Sequence, residues 1–404
     1  MARVLFAWEF GAHFGHLRRD MPVARYLREI GHDVLFAARD VAGAAKVLAR
    51  EELQFVQAPF LRARVNIRRP PANYSEMLLA EGYAQPDALA GCLAAWLQLI
   101  QLYRPDVLVA DHGPTPAIAA MLSRIPVVHL GCGFSIPPVT TPMRRFKADD
   151  NSVSDEALRA SERALIYNIN AAIRSCKRST KVRDLREIFA EERSLLAAFP
   201  ELDHYGERTE AQYIGPIVTS DGGRECDWNT NARTKIFAYL HNGVAGTSAL
   251  MEVLHKADAE VVCVVTDCST QARQKFWDSK MRVFGDPVQV RQLLPQADLV
   301  ISNGGGALMS QALMAGVPML TLPAHTEQFM QSHCVRRLRA GRVIGSMRDQ
   351  ASMGNAIVEM LESQQYRNQA RVFAQKYASF DSTQSVESAA EKIVRVAGGK
   401  MCVH

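Results

Sequence analysis

Residues 294–328 carry the clearest chemical signal in this sequence of 404 residues. An apolar stretch reads as a strand ending at Ser302, and Asn303 then precedes three consecutive glycines, Gly304, Gly305 and Gly306. Glycines let a backbone approach a ligand closely, and a helix beginning near Ala307 turns its unpaired N–H groups toward that ligand. Helix N-termini of this kind hold phosphates and other anions. A tight strand-to-helix turn would use the same glycines, so alone the run leaves both readings open.

Such a turn needs a sheet to hold it. In the first half, Val4–Ala7 reads as a strand, followed by the glycine turn Gly11–Gly15 and a helical pattern through Met21, Ala24, Leu27 and Ile30. Gly31 closes that helix and Asp33–Ala37 is the next strand, which completes a βαβ unit. Asp106–Ala110 and Ile125–Leu130 read as buried parallel strands around an apolar helix, Pro116–Leu122. The rhythm resets after Tyr213–Ile217, where Thr219–Arg224 has the composition of a linker. Strands are then expected at Lys235–Leu240, Glu260–Thr266, Arg282–Phe284, Asp298–Ser302 and Pro318–Leu322. Helical patterning over Tyr74–Tyr103 and Asp155–Arg193 adds helices to the first half, and Gln369–Val396 reads as one or two amphipathic helices.

The fold class expected is therefore α/β, with two Rossmann-like doubly wound domains. Residues 1–215 form the first and 216–384 the second, with a final helix over about 385–404 returning to the first. Ligands of open parallel sheets bind beyond the carboxyl ends of the strands, so two such domains facing across a cleft suit an enzyme that joins two substrates.

Composition narrows the function classes. Hydrophobic residues are 48% and charged residues 22%, ordinary for a globular chain. The net charge of +5 comes from 47 basic and 42 acidic residues with no concentrated basic stripe, which excludes a nucleic-acid binder and leaves a weak attraction to anionic substrates or membrane surfaces. Eight cysteines contain no C-x-x-C pair, so free thiols in a reducing compartment are expected, with no metal site. The apolar start, Val4–Trp8, is too short for a signal or a membrane span, which points to a cytoplasmic protein.

The second-half run resembles the donor-binding motif of the UDP-glycosyltransferase-like family of bacterial GT-B glycosyltransferases. That pattern is an H-G-G-x-G-T core, then E-A-L-x-x-G-V-P, a short strand, P, and D-Q or E-Q. Gln311-Ala-Leu-Met-Ala-Gly-Val-Pro318 matches its centre, and Pro323 with Glu327 and Gln328 matches its end. Phe199–Tyr205, Tyr213–Pro216, Leu293–Pro295 and Phe373–Tyr377 extend the likeness over most of the chain, strongest from Arg282 to Gly345.

The resemblance implies an inverting transfer of a hexose or deoxyhexose from a UDP- or dTDP-sugar to a hydroxyl of a small-molecule acceptor, with no metal and no other cofactor. Glu327 and Gln328 would hydrogen-bond donor-sugar hydroxyls, since a carboxylate accepts and an amide both donates and accepts. Asn303 stands where the family has its phosphate-contacting histidine, and neither Ala307 nor Leu308 supplies the threonine. Diphosphate would then rest on the backbone of Gly304, Gly305, Gly306 and Ala307, on the Ser310 hydroxyl, and on Asn242 and Gly243 after the first strand of this half. The nucleotide base is expected near Gly285–Val288, against Pro287 and Val288.

In the first half, Gly15-His16 matches the family's Gly-His motif, so His16 is the implied general base, a task that suits histidine as a residue type because a free imidazole titrates near operating pH. Asp111 matches its partner carboxylate. His13 is the competing base, more simply a helix-entry residue, and His112 is expected to line the acceptor side. Arg19 would form a salt bridge across its helix or contact phosphate. The basic stretch Arg62–Arg69 reads as a solvated loop, with an acidic acceptor or anionic lipid as the sharper alternative. Two other functions fit the scaffold: a catalytically silent nucleotide-sugar-binding or partner protein, and a nucleotide-sugar hydrolase.

Overall fold

The computed structural model describes residues 1–11, 15–62, 69–189, 193–218, 223–229, 232–345 and 349–398. They fall into two compact units: Met1–Pro200 with Glu207–Ile217 and the segment from Ser382, and Val218–Asp381 with Glu201–Gly206.

The first unit is built on strands β1 (Arg3–Trp8), β2 (Asp33–Ala38), β3 (Gln54–Gln57), β4 (Val107–Asp111), β5 (Val127–Gly131), β6 (Ser194–Leu196) and β7 (Gln212–Tyr213). Among the described residues they form one sheet in the order β3-β2-β1-β4-β5-β6-β7, with neighbouring strands parallel. The order reverses between β1 and β4, whose register sets Trp8 opposite Asp111 at their carboxyl ends. Val4–Trp8 and Val107–Asp111 are buried throughout, as expected of strands covered on both faces.

The second unit contains β8 (Lys235–His241), β9 (Glu260–Thr266), β10 (Met281–Phe284), β11 (Leu299–Ser302), β12 (Met319–Thr321) and β13 (Gly341–Val343) in the order β10-β9-β8-β11-β12-β13, again parallel. Its reversal lies between β8 and β11, so Asn242–Gly243 and the glycine turn follow neighbouring strand ends. The two α/β sheets match the fold class expected.

Local differences have plain causes. The helical reading of Asp155–Arg193 was too long: the helix is Asp155–Ser175, capped by Ser154, and it ends where Lys177 adopts a left-handed φ of 56°. Tyr74–Tyr103 is interrupted, because Gly82 (φ 117°) breaks the helical path before the helix Pro86–Tyr103. Strands β3, β6, β7 and β13 have no sequence counterpart above; they are two to four residues long, too short for a period to show.

The helix Ser382–Val396 belongs to the first unit. Its Ala389, Ala390, Ile393 and Val394 enter the core with Leu17, Leu27, Val107 and Leu130, and Ser385 donates its hydroxyl to the Ile214 carbonyl at 2.5 Å. Burying one such aliphatic side chain contributes about 1.5–3 kcal/mol. Ile393→Ala is therefore expected to cost about 2–5 kcal/mol. Hydrogen exchange under increasing urea should show β1 and β4 losing protection early while β8 and β11 keep theirs.

Candidate active site

In the first unit the strand ends bring together residues 95 positions apart. His16 Nδ1 lies 2.7 Å from Asp111 Oδ2, with His16 on the first turn of the helix Gly15–Glu29 and Asp111 closing β4. The imidazole stacks on the indole of Trp8 at 5.3 Å between centroids. Trp8 is itself fixed by donating its indole N–H to the Phe10 carbonyl at 2.7 Å. With Nδ1 engaged by the carboxylate, the ring's other nitrogen, Nε2, faces Gly11. A Cβ at Gly11 would come within 2.2 Å of Nε2, and the backbone there has a φ of +95°, so only glycine leaves this nitrogen open.

The second Asp111 oxygen contacts the Arg19 guanidinium, which also bonds Asp20 through Nε at 3.1 Å. Arg19 thus bridges the helix to β4, more than the helix-spanning salt bridge expected. Burial alone would push the Asp111 carboxyl up, but Arg19 and His16 outweigh it and hold the group well below the usual carboxylate range. Asp20 goes the other way: burial, then the Asp111 charge, push it well above.

Glu9, which sequence reading passed over, fixes the turn after β4. One of its oxygens accepts the Thr115 N–H at 2.8 Å, the other lies 2.5 Å from the Thr115 hydroxyl, and Tyr83 bonds that hydroxyl at 2.6 Å. The Phe10 N–H reaches the His112 carbonyl at 3.0 Å, and His112 takes a left-handed φ of 45°. Its ring is buried among Phe10, Tyr74 and Phe134, at 5.5–5.8 Å, so it packs into an aromatic cluster beside the dyad. His13 lies outside the described residues, as do residues 63–68 of the basic stretch. Arg69, at the end of that stretch, makes a two-pronged bond to Glu76 at 2.7 and 2.6 Å.

In the second unit, Gly304 turns with φ +90° and a Cβ there would lie 2.6 Å from the Ser332 hydroxyl and 3.0 Å from the Gln328 carbonyl. The glycine turn and the Glu327-Gln328 pair are therefore neighbours. The helix Gly306–Met314 starts with no side chain capping it, and Gly305, Gly306 and Ala307 are exposed. Exposed, uncapped N–H groups at a helix start suit an anion. Gln328 accepts the Ala324 N–H at 2.9 Å, and Glu327 lies in the first turn of the helix Thr326–Arg337.

Other expected donor contacts sit differently. Asn303 is buried with both ends of its amide engaged: Oδ1 accepts the His241 N–H at 2.9 Å and Nδ2 donates to the Leu322 carbonyl at 2.8 Å. It ties together the chain at the ends of β8, β11 and β12. Ser310 is buried and gives its hydroxyl to the Gly306 carbonyl at 3.0 Å. Asn242 and Gly243 are exposed beyond β8, with the Asn242 amide 3.3 Å from the Asp267 carbonyl. Val288 is buried, and the backbone on either side of it pairs with Arg224 (Arg224 N to Pro287 O 2.9 Å, Gln289 N to Arg224 O 2.9 Å). A cavity of about 540 Å³ opens just before it, lined by Arg224, Arg273, Trp277, Phe284, Gly285 and Asp286 among others, not by Pro287 or Val288.

Two consequences can be measured without an activity assay. Asn303→Ala leaves a buried N–H and a buried carbonyl unpaired, an expected loss of about 2–4 kcal/mol by denaturant titration. Burial raises Glu9 from an ordinary carboxyl value to about 8, against the opposing Thr115 bonds. The folded state then keeps a proton that the unfolded chain has released, so stability falls with rising pH from about 4.5 and levels off above about 8. Glu9→Gln should remove that slope in melts taken at pH 5, 7 and 9.

Comparison with known proteins agrees with this architecture. Residues 248–393 match the family model described as "Erythromycin biosynthesis protein CIII-like, C-terminal domain". The chain is 26% identical to a PGL/p-HBAD biosynthesis glycosyltransferase of Mycobacterium tuberculosis, over 96% of this chain and 92% of that protein. It is 24% identical to a PGL/p-HBAD biosynthesis rhamnosyltransferase of Mycobacterium bovis, over 70% of this chain and 66% of that one. Among solved structures, the glycotransferase of kitacinnamycin aligns with a TM-score of 0.69 at 17% identity, over 98% and 99% of the two chains. The spinosyn rhamnosyltransferase SpnG aligns with a TM-score of 0.67 at 17% identity, over 97% and 100%. The glycosyltransferase VinC in complex with DTDP aligns with a TM-score of 0.65 at 16% identity, over 98% and 100%. These are GT-B folds. No helix among the described residues is long and apolar enough to cross a membrane.

Proposed function

We propose that the chain is a member of the bacterial UDP-glycosyltransferase-like family and that it inverts configuration as it moves a hexose or deoxyhexose from a UDP- or dTDP-sugar to a hydroxyl of a small molecule. Sugar transfer is the activity its relatives' names share. The rhamnosyltransferase names and the DTDP complex of VinC favour a dTDP-deoxyhexose.

The observation that carries the reading is the His16–Asp111 bond at 2.7 Å with Nε2 left open over Gly11. Nε2 takes the acceptor's hydroxyl proton as that oxygen bonds to the anomeric carbon. The bond from that carbon to the diphosphate oxygen breaks, and the nucleoside diphosphate departs with the electron pair from the opposite face. Asp111 orients the ring and stabilises the imidazolium that forms. The diphosphate is assigned to the exposed N–H groups at Gly305–Ala307, the sugar to Glu327 and Gln328, and the nucleoside to the cavity at the end of β10. Backbone dipoles take the place of a metal in this scheme.

A panel of nucleotide-sugars and hydroxylated acceptors read by mass spectrometry identifies the pair, and NMR of the product anomer tests inversion. His16→Ala should lower kcat by about 10²–10⁴-fold. Near-normal transfer by that variant would sink the base assignment, and complete loss of wild-type activity in EDTA would sink metal independence. The inward-turned Asn303 amide favours one second reading, a nucleotide-sugar binder without turnover. Thermal stabilisation by donor with no product from any acceptor would support that reading instead.

A further inference from the structure

Three side chains on one helix converge on one carboxylate. His16, Arg19 and Asp20 lie three and four positions apart on Gly15–Glu29, a spacing that puts them on one face; His16 and Arg19 reach Asp111 directly, and Asp20 is tied to it through Arg19. His16 takes one Asp111 oxygen, and the Arg19 guanidinium contacts the other while its Nε bonds Asp20 at 3.1 Å. Two buried carboxyl groups thus share a single guanidinium. The Asp20 and Asp111 side chains are 3% and 1% exposed, so an unbalanced charge among them is costly.

Charge counting then leaves two arrangements. One guanidinium balances one carboxylate. The remaining proton sits either on Asp20 or, with Asp20 ionised, on His16 as an imidazolium. A histidine already protonated has no lone pair for an acceptor hydroxyl. We propose that Asp20 is a neutral carboxylic acid, and that Arg19 and Asp20 are positioning residues that keep His16 unprotonated and ready to act. The inference rests on His16 being the base.

Asp111 thus accepts the His16 Nδ1–H and is ion-paired with Arg19, which fixes the tautomer and leaves the Nε2 lone pair toward Gly11. Burial and the Asp111 charge push the Asp20 carboxyl up, while Arg19 and His16 hold Asp111 down, in the same sense. The other titratable groups facing the cluster are His112, 6.3 Å from His16 between ring centroids, and Cys132, within electrostatic reach of Arg19; Trp8 covers the imidazole face.

The test is the pH dependence of kcat/KM for the full chain and three variants, with an infrared readout that needs no substrate. Removing the guanidinium in Arg19→Gln strengthens the pull of Asp111 on a proton at His16. The acid limb should move up by about one pH unit, so that activity at the old midpoint falls and recovers at higher pH. Arg19→Lys should return most of the shift. An equal loss at every pH would mean a merely structural Arg19 and would overturn the proposal. Asp20→Asn keeps the shape of a neutral acid and an acceptor for Arg19 without an ionisable group; kcat/KM should fall no more than several-fold with the acid limb in place. A limb displaced to lower pH, with a gain at neutral pH, would show an ionised Asp20 and also overturn it. At pH 6, infrared spectra of the wild type should contain the C=O band of a buried carboxylic acid that Asp20→Asn removes and Glu9→Gln does not. Its absence overturns the proposal whatever the assays show. A wild-type profile without an acid limb, or an active His16→Ala, would instead defeat the base reading and leave the infrared band to decide Asp20.

Discussion

A carboxylate buried at the end of a strand needs a partner for each of its oxygens, and that demand organises the first unit around Asp111. The switch from β1 to β4 sets Asp111 beside Trp8, and the helix that follows β1 begins where its first turn can reach across. His16 answers one oxygen and Arg19 the other. Removing one partner from a buried charged pair costs about 3–5 kcal/mol, because the charge left behind is uncompensated. Trp8 beneath the imidazole, Gly11 beyond it and Glu9 bracing the next turn are then consequences: each keeps the chain from relaxing away from a geometry that the buried charge requires.

The second unit meets its strand ends without a buried charge at that place. Asn303 joins the backbone past β8 and β12 to the end of β11 through a neutral amide, and the helix after it offers exposed N–H groups. A neutral tie carries no desolvation penalty comparable to an ion, and it leaves the partial positive charge of the helix start uncancelled. The two units therefore show opposite electrostatics on one architecture, a buried ion-paired carboxylate on one and a neutral amide beside an uncapped helix start on the other.

How much of this was legible in the sequence follows from where the information sits. The βαβ rhythm, the long strands and the glycine turn were readable because apolar periodicity and glycine placement are local. His16 and Asp111 were readable only through family resemblance, since nothing in either neighbourhood says they meet. Asp20 and Glu9 gave a faint signal that was missed: an acidic residue on a helix that buries its neighbours, and another directly after an all-apolar strand, both need a partner inside. Asn303 was placed against phosphate by analogy with the histidine of the family pattern, yet its amide is turned toward backbone that only the sheet order brings near. Pro287 and Val288 pair with a segment more than sixty positions earlier, and no local pattern announces that.

The first unit takes in the chain from Ser382 onward, after the whole of Val218–Asp381 has been added to the other. On a ribosome, which releases a chain from its N-terminus at about 5–20 residues per second, the first unit waits roughly ten to thirty-five seconds with part of its core open. Leu17, Leu27 and Val107 have no Ile393 or Val394 to cover them until those late residues emerge. The second unit draws on nothing beyond Asp381, so its last core residues leave the ribosome before those of the unit that began the chain.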